Sequence, residues 1–144
     1  MRFHASCAAL DGPNGFDAVL LLGPSGSGKS DLLLRLIEAG WQMVADDQVL
    51  VEDGIAHAPP QLAGMLEVRG LGLFALPYLT QARVRLVVQL GVQTERLPAP
   101  ATDPALNLPL MMLDPTQPSA PARLRLALDA ACGRVAQIAG AFAA

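Results

Sequence analysis

The sequence contains few charged residues and no surplus of basic ones. Charged residues make up 16% of its 144 residues, and ten lysines and arginines stand against thirteen acidic residues, which gives a formal net charge of −3. A protein that binds nucleic acid needs basic side chains to neutralise phosphates, so this composition disfavours nucleic acid as a partner. Lysine is nearly absent, since Lys29 is the only one in the chain.

Long apolar runs and patterned cysteines are also missing. No apolar run approaches the roughly 18 residues that span a bilayer, and the N-terminal residues do not resemble a signal peptide. We therefore expect a cytoplasmic protein without a membrane partner. The two cysteines, Cys7 and Cys132, lack the spacing of a metal site and are expected to be reduced thiols.

Apolar residues nevertheless make up 52% of the sequence, which excludes a disordered chain. The length fits a single domain covering residues 1–144. Because the apolar residues are spread along the chain, part of the surface is expected to be covered by other subunits.

Residues 23–30, GPSGSGKS, match the P-loop pattern G-x-x-x-x-G-K-[ST]. Its glycines let backbone N–H groups turn toward an anion, Lys29 adds charge for the β- and γ-phosphates, and Ser30 offers a hydroxyl to Mg²⁺. The alternative is a glycine- and serine-rich turn that carries a lysine by chance. An apolar strand predicted at 18–22 and a helix predicted at 31–39, stopped by Gly40, favour the P-loop. The predicted nucleotide-binding residues are Gly23, Pro24, Ser25, Gly26, Ser27, Gly28, Lys29 and Ser30, with ATP and Mg²⁺ as cofactors.

The remaining pattern predicts an α/β fold: a P-loop nucleotide-binding domain with a mixed sheet, a P-loop helix and a C-terminal helix. Strand 41–45 is expected to be the parallel neighbour of strand 18–22, and 94–103 a surface loop. Apolar residues at helical spacing predict one C-terminal helix that begins at Ser119 and continues to Phe142. Further strands are predicted at 3–10, 49–52, 55–58, 83–90 and 107–113, the last weakened or placed at an edge by Pro109, and 66–76 is predicted as a short strand or turn that opens into a loop.

Two acidic residues, Asp46 and Asp47, directly follow strand 41–45. Successive side chains of a strand point to opposite faces, so one carboxylate is expected near the γ-phosphate and the other to turn away or cap. A carboxylate there serves as an Mg²⁺ partner or as the base that accepts a proton from an attacking hydroxyl. The alternative is a pair of turn-forming aspartates before the next hairpin.

Glu67 and Arg69 lie two residues apart, which places both side chains on one face of a strand. A metal ligand and a phosphate clamp would then be neighbours; the alternative is a solvated ion pair. Taken alone, His4 and His57 are expected to be ordinary core or surface histidines.

The order of His4, the 23–30 loop, Val44-Ala45-Asp46-Asp47 and Leu66-Glu67-Val68-Arg69-Gly70-Leu71-Gly72 resembles the HPr kinase/phosphorylase family. This family phosphorylates and dephosphorylates a serine of the phosphocarrier protein HPr. The resemblance implies that Lys29 contacts phosphates, that Ser30 and Glu67 hold the divalent cation, and that Asp47 is the acid/base assisted by His4. It also implies that segment 64–74 serves both reactions. The candidate catalytic residues are Asp47, His4, Lys29, Asp46 and Arg69.

The sequence departs from the family pattern in three places, one of which is a longer loop between His4 and Gly23. Longer members carry an N-terminal domain, so the chain resembles the short, catalytic-domain-only form of some proteobacteria. An arginine that serves the phosphorolytic direction has no counterpart in 117–121, and Arg123 is close but does not match. The kinase direction is therefore better supported than the reverse one. The resemblance also implies a hexamer.

The function predicted from the sequence is phosphorylation of a serine of an HPr-like carrier by ATP. Two alternatives stay open. One is a P-loop kinase that acts on a small metabolite, and the other is a nucleotide-sensing module without catalytic activity.

Overall fold

A computed structural model describes residues 1–143 of the chain. Ten strands, two helices and one short 3₁₀ turn make up its secondary structure. In chain order they are β1 (Arg2–Gly12), β2 (Gly15–Leu22), α1 (Lys29–Glu38), β3 (Gln42–Ala45), β4 (Gln48–Glu52), β5 (Ile55–His57), the 3₁₀ turn Pro60–Leu62, β6 (Met65–Val68), β7 (Gly72–Ala75), β8 (Ala82–Leu90), β9 (Ala101–Asp103), β10 (Leu108–Leu113) and α2 (Ala120–Ala131).

The main sheet is mixed and curls back on itself. Strand β1 forms a hairpin with β2, and the opposite edge of β1 pairs antiparallel with both β3 and β4. Strand β5 joins β4 to β8, and β8 returns to pair in parallel with β2. Strand β10 pairs in parallel with β8, and β9 forms the outer edge. The mixed α/β fold predicted from the sequence is therefore present.

Two apolar clusters lie on the two faces of this sheet. One is packed under α1 and α2 and includes Leu32, Leu36, Leu124 and Leu128. The other lies inside the curled half of the sheet and is built mainly from alanine and valine. Small side chains fit there because the strands approach one another closely across the curl. None of the helices within residues 1–143 has the length and apolar character needed to cross a membrane.

The predicted parallel pairing of 41–45 with 18–22 is wrong. Strand β3 does run in the same direction as β2, but β1 lies between them. The tight turn at Pro13-Asn14 folds β1 back along β2 and so occupies the edge that β3 was expected to take.

Three boundaries also differ from the prediction. The C-terminal helix ends at Ala131, because Gly133 takes a positive φ of 76°, and Ile138 beyond it is 99% exposed. Part of the predicted loop 94–103 forms β9, which flanks β10, so Pro109 does not lie on an edge strand. Segment 66–76 forms a two-stranded hairpin of β6 and β7.

Candidate functional site

The 23–30 segment joins β2 to α1 as a tight loop, in which Ser27 N donates to the carbonyl oxygen of Pro24 at 3.0 Å. Gly26 and Gly28 have φ values of 82° and 97°, a left-handed conformation that favours glycine. A Cβ at Gly23 would lie 2.5 Å from Ser27 Oγ, so the loop is also too compact for a side chain there. No side chain caps α1 within the described residues, which leaves first-turn N–H groups for an anion.

Lys29 lies in the floor of this loop and is only 6% exposed. Its Nζ donates to the carbonyl oxygens of Gly23 at 2.6 Å and Pro24 at 3.0 Å. Burial lowers the pKa of Lys29, and the nearby Asp47 and Asp46 carboxylates oppose that shift. The Lys29 ammonium group is therefore held by two carbonyl groups of the loop backbone and by the negative charges of Asp46 and Asp47.

Asp46 is buried and bonded to hydroxyl groups on two elements. Ser30 Oγ, in the first turn of α1, donates to Asp46 Oδ1 and Oδ2 at 3.0 and 2.9 Å. Ser6 Oγ, in β1, donates to Asp46 Oδ1 at 2.6 Å and is itself fully buried. Asp46 thus ties the loop helix to the sheet through a charge-assisted network.

Asp47 points the other way, into solvent beside His4. Asp47 Oδ1 lies 3.7 Å from His4 Nδ1, and both side chains are more than half exposed. Ser25 Oγ lies 3.5 Å from His4 Nε2, so the histidine connects the loop to the carboxylate. Asp47 has a φ of 68°, and aspartate is one of the few residues that tolerate this left-handed backbone. The two neighbouring carboxylates therefore have separate surroundings, one buried and one exposed.

A pocket of about 470 Å³ brings most of the predicted site residues together. Its lining includes His4, Ser25, Gly26, Gly28, Lys29, Ser30, Asp47, Glu67 and Arg69. Asp46 lies beneath it, bonded to Ser30, and Gly23, Pro24 and Ser27 belong to the loop but not to the pocket lining.

The predicted strand spacing of Glu67 and Arg69 is only partly correct. Strand β6 ends at Val68, so Arg69 belongs to the turn of the β6–β7 hairpin and not to the same strand face. Both side chains still line the pocket. His57 lies elsewhere, with Nε2 3.9 Å from Glu52 Oε1.

The residues present fit a phosphate chain and a divalent cation held jointly with it. The loop combines positive-φ glycines with a buried lysine, and Ser27 Oγ is a buried polar atom with no hydrogen-bond partner within residues 1–143. Over the same range no group of three or more His, Cys, Asp or Glu side chains is arranged to hold a metal by itself. A cation that keeps waters and phosphate oxygens needs only one or two protein oxygens, such as those of Ser30 and Asp46.

Ser6 is the site residue that sequence analysis missed. A serine inside an apolar strand resembles any small core residue. The available signal was its spacing, because Ser6 lies two residues after His4 and therefore on the same side of β1. The pairing of β1 with β3, which brings Ser6 within hydrogen-bond distance of Asp46, is not encoded locally.

Comparison with known proteins gives the family. The HPr Serine kinase C-terminal domain model matches residues 15–96, a range that contains the loop, both aspartates and the β6–β7 hairpin and that begins after His4 and Ser6. The HPr kinase/phosphorylase of Bordetella petrii is 38% identical over 122 residues, covering 81% of this chain and 39% of that protein. The HPr kinase/phosphorylase of Cupriavidus necator is 40% identical over 112 residues, covering 66% and 35%.

A solved structure supports the fold. The Hpr(Ser) kinase/phosphatase from Coxiella burnetii superposes with a TM-score of 0.66 at 24% identity, covering 88% of this chain and 92% of that one. The chain spans about 39% of the length of the Bordetella relatives it matches. On the match of the family model over more than half its length, the chain belongs to the HPr serine kinase C-terminal domain family.

Proposed function

We propose that this chain transfers the γ-phosphoryl group of ATP to a serine hydroxyl of HPr or an HPr-like carrier. The observation that carries the proposal is the difference in surroundings between the two adjacent carboxylates. Asp46 is buried against Ser30, where a cation is expected, while Asp47 is exposed at the pocket beside His4, where a second substrate can reach it.

In this mechanism the 23–30 amides and Lys29 position the phosphates. Ser30 and Asp46, with Glu67 on the pocket wall, would hold the divalent cation. When bound, Mg²⁺ neutralises the charge that develops on the phosphoryl oxygens. Asp47 accepts the proton of the attacking serine, and His4 orients the Asp47 carboxylate.

The β6–β7 hairpin favours a protein substrate over a small metabolite. Its apolar side chains are turned outward beside the pocket, with Leu71 75% and Leu73 66% exposed, and Phe74 is also exposed. Soluble proteins rarely leave such a patch uncovered unless another protein binds it. Coverage by other copies of this chain, as in the predicted hexamer, is the other use of such a surface.

The reverse, phosphorolytic reaction lacks comparable support. Arg123, the arginine nearest to the expected position, donates to Ser119 Oγ and lines a different groove. Arg69 is the arginine that lines the phosphate pocket.

The test compares Asp47→Ala with Asp53→Ala. Both are exposed aspartates with positive φ, 68° and 53°, so the backbone cost of the two substitutions is similar. Asp53 lies in the β4–β5 turn, away from the pocket. We expect Asp47→Ala to lower transfer to an HPr-like protein by about 100-fold or more, the usual contribution of a general base. ATP binding should stay nearly unchanged.

Transfer is measured by intact mass and by peptide mapping of the phosphorylated serine. Asp53→Ala should match the wild type. If Asp47→Ala retains transfer within about tenfold, a loss of only about 1.4 kcal/mol, Asp47 is not the base. Phosphorylation of free serine or a sugar in place of the carrier would indicate the metabolite kinase, and ATP binding without any turnover the sensing module.

A further inference from the structure

A second groove lies on the opposite side of the 23–30 loop from the phosphate pocket. Its volume is about 440 Å³. One wall is the loop and the first turns of α1, and the other wall is the turn between β10 and α2. The lining residues are Gly26, Ser27, Gly28, Asp31, Arg35, Pro115, Thr116 and Pro118.

The groove and the phosphate pocket share part of the loop. Gly26, Gly28 and Asp31 line both cavities, so one extended ligand can occupy the two together. The groups expected to act on the γ-phosphate, Lys29, Ser30 and Asp47, lie on the pocket side only. A triphosphate is a linear chain, and its nucleoside end must leave the loop on the other side.

The order of strands in the sheet also places the nucleoside end of the chain on the side of the 114–118 turn. Strand β2, which ends at the loop, has β1 on one side and β8 on the other. Asp46 and Asp47 follow β3, beyond β1, whereas the 114–118 turn follows β10, beyond β8. The loop therefore lies between the two, with carboxylates at one end and the 114–118 turn at the other.

We propose that this groove holds the ribose and base of the nucleotide, an inference that rests on the proposed function. The outer wall is fixed in place before any ligand arrives. Asp114 Oδ1 accepts hydrogen bonds from Thr116 N at 2.9 Å and Thr116 Oγ1 at 2.7 Å. Arg35 donates to the carbonyl oxygens of Pro115 and Gln117 and pairs with Asp31 Oδ2 at 3.1 Å.

The chemistry of the groove suits a flat, apolar ring. Pro115 and Pro118 present apolar faces, and Pro115 packs against the loop, with its Cγ 3.5 Å from a Cβ placed on Gly28. The hydrogen-bonding groups of Asp31, Arg35 and Thr116 are engaged with one another or with the turn. The base is therefore held by stacking and contact more than by reading of its polar edge.

The experiment introduces a fluorescent side chain into the groove. In Thr116→Trp the new indole lies on the exposed outer wall of the groove. The native Trp41 is buried and lines neither cavity, so its signal is a constant background. Thr94→Trp makes the same replacement at another exposed loop threonine that lines neither cavity. Each variant is titrated with Mg²⁺ plus ATP and with Mg²⁺ plus inorganic tripolyphosphate, and calorimetry measures binding in parallel.

We expect ATP to quench the indole at position 116, because a purine stacks on it, and tripolyphosphate to leave its fluorescence unchanged. The indole at position 94 should respond to neither ligand. Calorimetric binding of tripolyphosphate to Thr116→Trp shows that the variant is folded with an intact loop. If both ligands bind and the indole at 116 responds equally to both or to neither, the groove assignment is wrong. If the wild type binds neither ligand, the proposed function itself fails.

Photolabelling of the unaltered protein gives an independent result. Label from 8-azido-ATP, mapped by peptide mass spectrometry, should lie within 115–118. Label confined to 67–74, on the other side of the loop, overturns the inference.

Discussion

Replacing Ser6 by alanine tests whether the buried hydroxyl orients Asp46. Asp46 is 6% exposed, and its Oδ1 accepts from Ser6 Oγ at 2.6 Å in addition to Ser30 Oγ. A hydrogen bond to a charged group contributes about 1.5–3 kcal/mol to stability. Because Ser30 still serves the carboxylate, we expect Ser6→Ala to lower the free energy of unfolding by about 2 kcal/mol in urea titrations.

The matched control is Cys7→Ala. Cys7 is the next residue of β1, equally buried, and packs in the cluster on the opposite face of the sheet. Both substitutions remove one heavy atom from the same strand, so both cost stability. Only Ser6→Ala should change how the protein binds a cation with ATP.

That cation dependence is measured by titrating ATP binding with Mg²⁺. Loss of a group that orients a metal ligand weakens metal affinity about 10- to 100-fold, so the Mg²⁺ midpoint of Ser6→Ala should rise at least about tenfold. ATP binding without Mg²⁺ should stay the same. If the midpoint moves less than about twofold, or if Cys7→Ala moves it equally, Ser6 is only a packing residue and the reasoning fails.

Two further predictions concern stability. Burial raises the pKa of Cys7 from an ordinary value near 9.0 to about 12, so above pH 9 the unfolded chain loses a proton that the folded chain keeps. The free energy of unfolding should therefore fall by about 1.4 kcal/mol per pH unit between pH 9 and 12. Urea titrations at pH 8, 9.5 and 10.5 measure this slope, which should be smaller in Cys7→Ala. Equal slopes in the two proteins would contradict the prediction. Asp17, 7% exposed, accepts from Arg85 Nη1 at 3.3 Å and Arg134 Nη1 at 2.9 Å. Asp17→Ala should lower the free energy of unfolding by about 3 kcal/mol. Arg134→Ala should lower it by only about 1 kcal/mol, because Arg85 still pairs with Asp17. If the urea midpoints fall in the reverse order, Asp17 is not the centre of this cluster.

The parts of the site that follow one another in the chain could be predicted from sequence. The strand, the 23–30 loop and the helix are fixed by local chemistry: apolar residues, glycines with positive φ, and Gly40 after the last helical turn. The β4–β5 hairpin was predictable for the same reason, because Asp53 and Gly54 both take the positive φ that a two-residue turn requires.

Contacts between distant segments could not be predicted in this way. Nothing in residues 2–12 shows that β1 lies between β2 and β3, since apolar strands of this length pair equally well with several neighbours. The placement of Ser6 against Asp46 depends on that insertion. The end of the C-terminal helix was mispredicted for a different reason. Gly133 is a stop signal that can be read from the sequence, but the apolar periodicity that continues to Phe142 was given more weight.

Strand β1 faces both aspartates, and the register of its pairing changes just after them. Cys7 is opposite Ala45, but Ala8 is opposite Met43, so one residue of β3 bulges at this point. Because Cys7 is fixed opposite Ala45, adding or deleting one residue between Ser6 and Cys7 would turn both His4 and Ser6 to the other face of the strand. Beyond Ala9, where β1 pairs with β2 and no longer with β3, the hairpin carries no side chain of the site. Lengthening or shortening the tip of the β1–β2 hairpin should therefore leave His4 and Ser6 in place.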